Sequence, residues 1–255
     1  MFPHTLTSVQ RWWLIVLLAL WAVLLFGGFV FGKGDANHHM PLATRIASSL
    51  VLVVAGWSWY ALSRGATGGA TGGAERYALF VALGMTLGFL GDLLMAGLIP
   101  LEPHVLGGML AFGAGHLFYI AAFIGFGNQQ GLDAPGPRWV ALAVWLVVGM
   151  VGWYAVVFRG QDPSVLHWAA LPYALLLAST AGFATGLALQ ARAFIPLAVG
   201  AGLFLLSDLI LAGQLFSGLT FPLVGDVIWL TYGPGQMLIV YSVAAAMRLT
   251  TTVAS

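Results

Sequence analysis

ALGMTLGFLGDLLMAG at residues 82–97 and AVGAGLFLLSDLILAG at residues 198–213 decide how this chain folds. Each is an apolar run broken by a single carboxylate, Asp92 in the first and Asp208 in the second. Aligned without gaps, they are identical at eight of sixteen positions: Ala, Gly, Leu, Leu, Asp, Leu, Ala and Gly. Leu and Ala matches are cheap in apolar sequence, but a matched Asp is not. Apolar runs of this length without strand-like alternation are helices, because only a helix or a closed barrel satisfies its backbone in lipid.

The rest of the chain has the same character. Of 255 residues, 60% are apolar and 7% are charged, against roughly 25% charged in a soluble domain. A soluble globule and a disordered chain are excluded, since too few polar groups exist to cover a surface. Nine Lys/Arg against eight Asp/Glu leave no basic footprint for nucleic acid. The absence of cysteine excludes disulfides, thiolate nucleophiles and Cys-based metal sites. A span needs about 20 apolar residues. Eight stretches qualify, at 12–31, 42–62, 76–98, 104–127, 138–158, 165–190, 193–217 and 225–247. They are separated by polar or Gly/Pro-rich breaks such as GKGDANHHMP (32–41), SRGATGGATGGAER (63–76) and GNQQGLDAPGPR (127–138). The Gly/Thr repeat at 65–74 reads as a flexible linker. The first run is too long for a signal-peptide core and has no cleavage site after it, so it is an uncleaved helix. The expected fold is an all-α polytopic membrane protein, a single integral membrane domain over 1–255 with eight transmembrane helices.

The spans that follow each Asp also match: FGAGH (112–116) in span four and YGPGQ (232–236) in span eight. Spans three and four therefore correspond to spans seven and eight, as two four-helix halves related by duplication. An even number of spans per half makes the copies run in the same direction, a parallel 4+4 repeat. Asp92 and Asp208 then lie at equal depth, each about 8 Å from its own Ala-Gly pair at 1.5 Å per residue. Eight spans place both termini on one side, with Arg11, Arg64, Arg76, Arg138, Arg192 and Arg248. Lys33, Arg45 and Arg159 fall on the other. The excess of positive charge predicts cytoplasmic termini, and it puts both aspartates in the outer half of the bilayer.

Away from the span ends, Asp92, His116 and Asp208 are the Asp, Glu, His, Lys or Arg residues inside these spans. A charge at that depth must face the bundle interior, pair, or stay neutral. A lone intramembrane Asp is often a protonated structural residue; a matched pair points to function. His116 beside two carboxylates is expected to partner one of them. Phe112, His116 and Tyr119 share a helix face, as do Tyr232 and Gln236. Small residues such as Gly88, Gly91, Gly113, Gly115, Gly233 and Gly235 let these helices approach closely. Pro172–Tyr173 adds a further inward hydroxyl in span six. Asp35, His38 and His39 lie in a loop without a third fixed metal ligand. Asp226, Glu102 and His104 stand at helix starts, where capping is the default role. Ser207 is expected on another helix face from Asp208, with no base beside it. No phosphate-binding loop, GxSxG, HExxH or dinucleotide fingerprint is present.

The segments LGDLLMAG, AFGAGHLFYIAAF, LPY, AGLFLLSDLILA and YGPGQMLIVYS, in this order on eight spans, resemble the lysoplasmalogenase family of YhhN-like membrane proteins. The specific elements are G-D, H-x-x-Y, S-D and Y-x-x-x-Q, spread over spans three to eight. The resemblance implies cleavage of the vinyl ether bond of lysoplasmalogens to a fatty aldehyde and a glycerophospho-ethanolamine or -choline. It also implies Asp92 and Asp208 as the catalytic pair, with His116, Tyr119, Tyr173, Tyr232 and Gln236 lining the substrate site. No metal or organic cofactor is implied. The implied partners are the lysophospholipid substrate and membrane lipids, with no nucleic acid and no obligatory protein partner. The expected location is a plasma membrane, the inner membrane if the source is bacterial.

Vinyl ether hydrolysis begins with protonation of the β-carbon, and water then captures the oxocarbenium ion. That chemistry needs one carboxylic acid and one carboxylate, the division of labour glycosidases use on a related cation. The rival reading is a proton-coupled transporter or a lipid-binding membrane protein, because parallel repeats and paired midplane carboxylates also occur in transporters. No pair of broken helices is evident in the sequence, which weighs against transport.

Overall fold

The computed structural model describes residues 2–34, 38–66, 72–159 and 164–253. Eight helices long and apolar enough to cross a membrane run through it: Ser8–Phe31, Leu42–Gly65, Gly73–Met95, His104–Gln129, Pro135–Phe158, Val165–Gln190, Arg192–Phe216 and Val224–Thr250. They are spans one to eight. No strand occurs among the described residues. Each helix lies where hydropathy places it, with ends moved by at most a turn. Asp35 and residues 67–71 of the Gly/Thr linker lie outside the described residues.

Burial separates the spans. Spans three, six and eight bury the largest share of their length, while one and five bury the least and line the rim. Val9, Val144, Val147 and Val151 on the rim spans point outward, as required where the surrounding solvent is hydrocarbon. Trp12, Trp13, Trp139 and Trp168 are exposed near helix ends, the depth at which amphipathic rings settle in a membrane. Inside, Trp59, Tyr77, Tyr119, Phe123, Phe194 and Phe204 are fully buried in one continuous core.

The glycines set the helix crossings that hold the site. A Cβ on Gly115 would sit 2.9 Å from the Gly84 carbonyl oxygen, so spans three and four touch backbone to backbone. A Cβ on Gly235 would sit 2.9 Å from the Gly200 carbonyl oxygen, and spans seven and eight cross the same way. Gly84 and Gly115 align with Gly200 and Gly235 in the two matched segments. Spans one and five also share a feature that hydropathy does not reveal: each contains a π-helical turn, at Val23–Gly27 and Tyr154–Phe158. Span eight is interrupted at Ser242, whose hydroxyl meets Tyr77 Oη at 2.7 Å, and resumes at Val243.

Two loop expectations are corrected. Asp226 is fully buried in the first turn of span eight, but it does not cap that helix, whose N-cap is Leu223. Its carboxylate accepts from the backbone N–H groups of His39 and Met40, the latter at 3.0 Å. The Met40 donor is buried just ahead of span two and would otherwise be orphaned, which costs more than a frayed cap. Glu102 and His104 do not cap span four either. Its N-cap is Pro103, and the Glu102 carboxylate pairs with His104 Nε2 at 2.9 Å.

Candidate active site

Asp92 reaches the bundle interior because span three presents a glycine face on the same side. A Cβ on Gly84 would fall 2.3 Å from the Tyr119 ring. On Gly88 it would fall 2.8 Å from Gln236 Nε2, and on Gly91 2.8 Å from the Phe112 ring. Removing three side chains from span three thus admits the polar residues of spans four and eight. Asp92 is 5% exposed. Its Oδ2 accepts from the hydroxyls of Ser49 and Tyr232, the latter at 3.0 Å. Tyr232 in turn accepts from Gln236 Nε2 at 3.3 Å, and Gln236 Oε1 accepts from Tyr119 at 2.8 Å. A buried hydrogen-bond chain therefore runs Tyr119–Gln236–Tyr232–Asp92 across three helices.

Asp208 has its own set. Tyr173 of span six donates to Oδ2, and Ser207 reaches Oδ1 at 3.2 Å. Ser207 has one hydroxyl proton, and its shorter bond is to the Phe204 carbonyl at 2.7 Å; it is fully buried and lines neither of the spaces that Asp208 borders. Each Asp receives a hydroxyl from the span just before its own, Ser49 for Asp92 and Tyr173 for Asp208.

His116 is not brought to either carboxylate. One turn below Phe112, its Nδ1 lies 2.9 Å from Thr180 Oγ1 and its ring packs edge-on against Phe204 at 4.5 Å between centroids. The helix rise explains this. Four residues along span four carry the ring about 6 Å past the level of Phe112.

Both carboxylates line one cavity of about 1000 Å³, counted to its open mouth. It opens at the end of the bundle away from the two termini. Tyr232 and Phe112 line it, with His38, Arg45, Gln214 and Trp229 nearer the mouth. A second pocket adjoins it. Its walls are apolar, including Met109, Trp153, Val157, Ala170 and Phe216, and its acidic or hydroxylated members are Asp208 and Tyr173. Met95, Phe112, Asp208 and Leu211 border both spaces. Asp208 therefore stands where a polar chamber meets an apolar one.

Sequence reasoning missed Ser49 and Arg45. Ser48–Ser49 is a polar pair inside an otherwise apolar span, and that was the available signal. Arg45 appeared only as a charge to be counted for orientation. Among the described residues no group of three His, Cys, Asp or Glu side chains converges as metal ligands.

Eight apolar helices enclosing two buried carboxylates, one of them at the border of a polar and an apolar chamber, define a polytopic membrane protein. The chain belongs to the YhhN family, whose model matches residues 40–243 and which includes lysoplasmalogenases. No curated protein and no solved structure matches the chain.

One prediction arises from the glycine face. Gly88→Ala should displace Gln236 and break its bond to Tyr232, since the flexible amide is what the new Cβ meets. The expected cost is about 1–3 kcal/mol, the usual price of overpacking. A thermal unfolding scan in detergent reads it as a lowered midpoint, and an unchanged midpoint would show that Gln236 moves aside freely.

Proposed function

We propose that the protein hydrolyses the vinyl ether bond of lysoplasmalogen-type lysophospholipids, giving a fatty aldehyde and glycerophosphoethanolamine or -choline. Asp208's position at the junction of the two chambers carries this reading. A lysophospholipid has a polar head, a long apolar chain and its reactive bond at the border between them. The apolar lining suits the chain and the polar one the head, so the vinyl ether would lie beside the carboxylates.

One carboxylic acid of the pair gives its proton to the β-carbon of the double bond. The resulting oxocarbenium ion lies next to the other, ionised carboxylate, which stabilises it and takes a proton from the attacking water. The hemiacetal collapses, the glycerol oxygen leaves protonated, and the pair returns to its starting state with one water consumed. Ser49, Tyr232 and Tyr173 orient the carboxylates. Gln236 and Tyr119 act through Tyr232 as positioning residues, and His116 holds span four against span six through Thr180. This proton bookkeeping within the chain's own residues calls for no metal or organic cofactor.

Incubating the purified protein with a lysoplasmalogen tests the reading. Aldehyde and glycerophospho-base should appear in equal amounts. A protein that releases no aldehyde but moves protons with a lipid or solute across liposomes would instead assign the pair to transport.

The positive-charge bias places both termini in the cytoplasm and the cavity mouth on the outer side of the plasma membrane. Reporter fusions after Ser255 and within 65–74 should score cytoplasmic, and fusions at 34–39 external. A cytoplasmic score at 34–39 would move the site to the inner leaflet.

A further inference from the structure

The polar chamber holds more than the aspartates, and an arginine lines its mouth. Arg45 is the one Lys or Arg lining it among the described residues. Its guanidinium lies 5.8 Å from the Trp229 ring centroid, and Nη1 is 3.2 Å from His38 Nδ1. These contacts hold it at the rim, between span two and span eight. Gln214, from the end of span seven, lines the same rim. Arg45 and Ser49 are four residues apart on span two and so share a face. Ser49 donates to Asp92, and the backbone of Arg45 lies about one helical turn, roughly 5.4 Å, nearer the mouth than that of this donor.

We propose that Arg45, with His38 and Gln214 beside it, is the subsite for the phosphodiester anion of the substrate's head group. Three facts converge. A guanidinium is planar and forked, which matches the non-bridging oxygens of a phosphodiester better than a point charge does. The chamber otherwise carries two carboxylates, so an anionic ligand needs a cation at the mouth to enter. Arg45 lines the same chamber as both carboxylates, so an anionic head at the mouth and a reactive bond beside the aspartates can belong to one ligand. An anion held at Arg45 leaves the vinyl ether facing the chamber that Asp92 and Asp208 line, with the chain passing Asp208 into the apolar chamber. The identity of the anion rests on the lysophospholipid reading; its recognition by charge does not depend on any bond being cleaved.

Binding of non-cleavable probes to the full-length protein in detergent tests it by titration calorimetry. The probes are a saturated hexadecyl-ether lysophosphocholine, hexadecylglycerol (which lacks the phosphate) and chain-free glycerophosphocholine. Arg45→Gln should raise the Kd of the lysophosphocholine at least about tenfold, while hexadecylglycerol binds both proteins within about twofold. Equal hexadecylglycerol binding also shows that the variant is folded. Arg45→Lys should fall between, keeping charge but losing the fork. Glycerophosphocholine should bind far more weakly than the lysolipid. An unchanged lysophosphocholine Kd in Arg45→Gln, or an equal loss for both chain-bearing probes, would overturn the subsite. Glycerophosphocholine binding as tight as the lysolipid's would also overturn it, by assigning the anion to a water-soluble ligand. A protein that cleaves no vinyl ether yet shows the Arg45-dependent difference keeps the subsite and loses the reaction, so the two failures are separable.

Discussion

Asp92→Asn and Asp208→Asn should each lower turnover of a lysoplasmalogen by at least about a hundredfold, with the protein still folded. A hundredfold is the usual scale for removing a positioned acid or base and corresponds to about 2.7 kcal/mol of barrier. Asparagine cannot give up a proton to carbon, and it carries no charge to stabilise the cation. Its one amide oxygen can still accept from both Ser49 and Tyr232 at position 92, which share Oδ2 of the parent, and from Tyr173 at position 208. A neutral amide also costs less than a carboxylate in a low-dielectric interior. Gel filtration and helical content should therefore match the parent, which separates lost chemistry from lost structure. Tyr232→Phe should cost less, about tenfold, because Ser49 still holds the Asp92 carboxylate. A well-folded Asp92→Asn or Asp208→Asn enzyme with near-normal turnover would remove that residue from the mechanism.

Turnover in D₂O should place one deuterium on the α-carbon of the aldehyde. Protonation of the β-carbon of the vinyl ether makes that carbon the α-carbon of the product. The proton comes from a carboxyl group that exchanges with solvent between turnovers. Rapid reductive trapping to the alcohol prevents later exchange, and mass spectrometry then counts the label. A normal solvent isotope effect should accompany it unless product release limits kcat. Trapped product without α-deuterium would exclude acid attack on the double bond and leave the proposed roles of Asp92 and Asp208 without support.

Several partners of the aspartates were legible in the chain. Tyr173, Tyr232 and Gln236 stand out as polar residues on apolar helices, and the structure sends Tyr173 to Asp208 and links Gln236 through Tyr232 to Asp92. Helical spacing correctly groups Phe112, His116 and Tyr119 on a buried face. Spacing within one helix does not say which neighbour each side chain meets. Hence His116 goes to Thr180, 64 residues along the chain, and not to a carboxylate. Asp226 goes to the backbone of His39 and Met40, 187 and 186 residues away. Ser49 and Arg45 were passed over because a serine and a helix-end arginine are common, and only the cavity shows what they face.

The sequence by itself determined the class of protein, its eight spans and the singular status of two aspartates. These follow from local physics: a backbone in hydrocarbon must be helical for about 20 residues, and a carboxylate there is costly enough to be conspicuous. The tertiary structure decided which hydroxyl reaches which carboxylate, that both carboxylates share one chamber, and that an apolar chamber opens beside Asp208. Those are relations between helices far apart in the chain. They depend on where glycines let backbones touch, as at Gly84–Gly115 and Gly200–Gly235, and no pattern within a single helix specifies how its neighbours are placed.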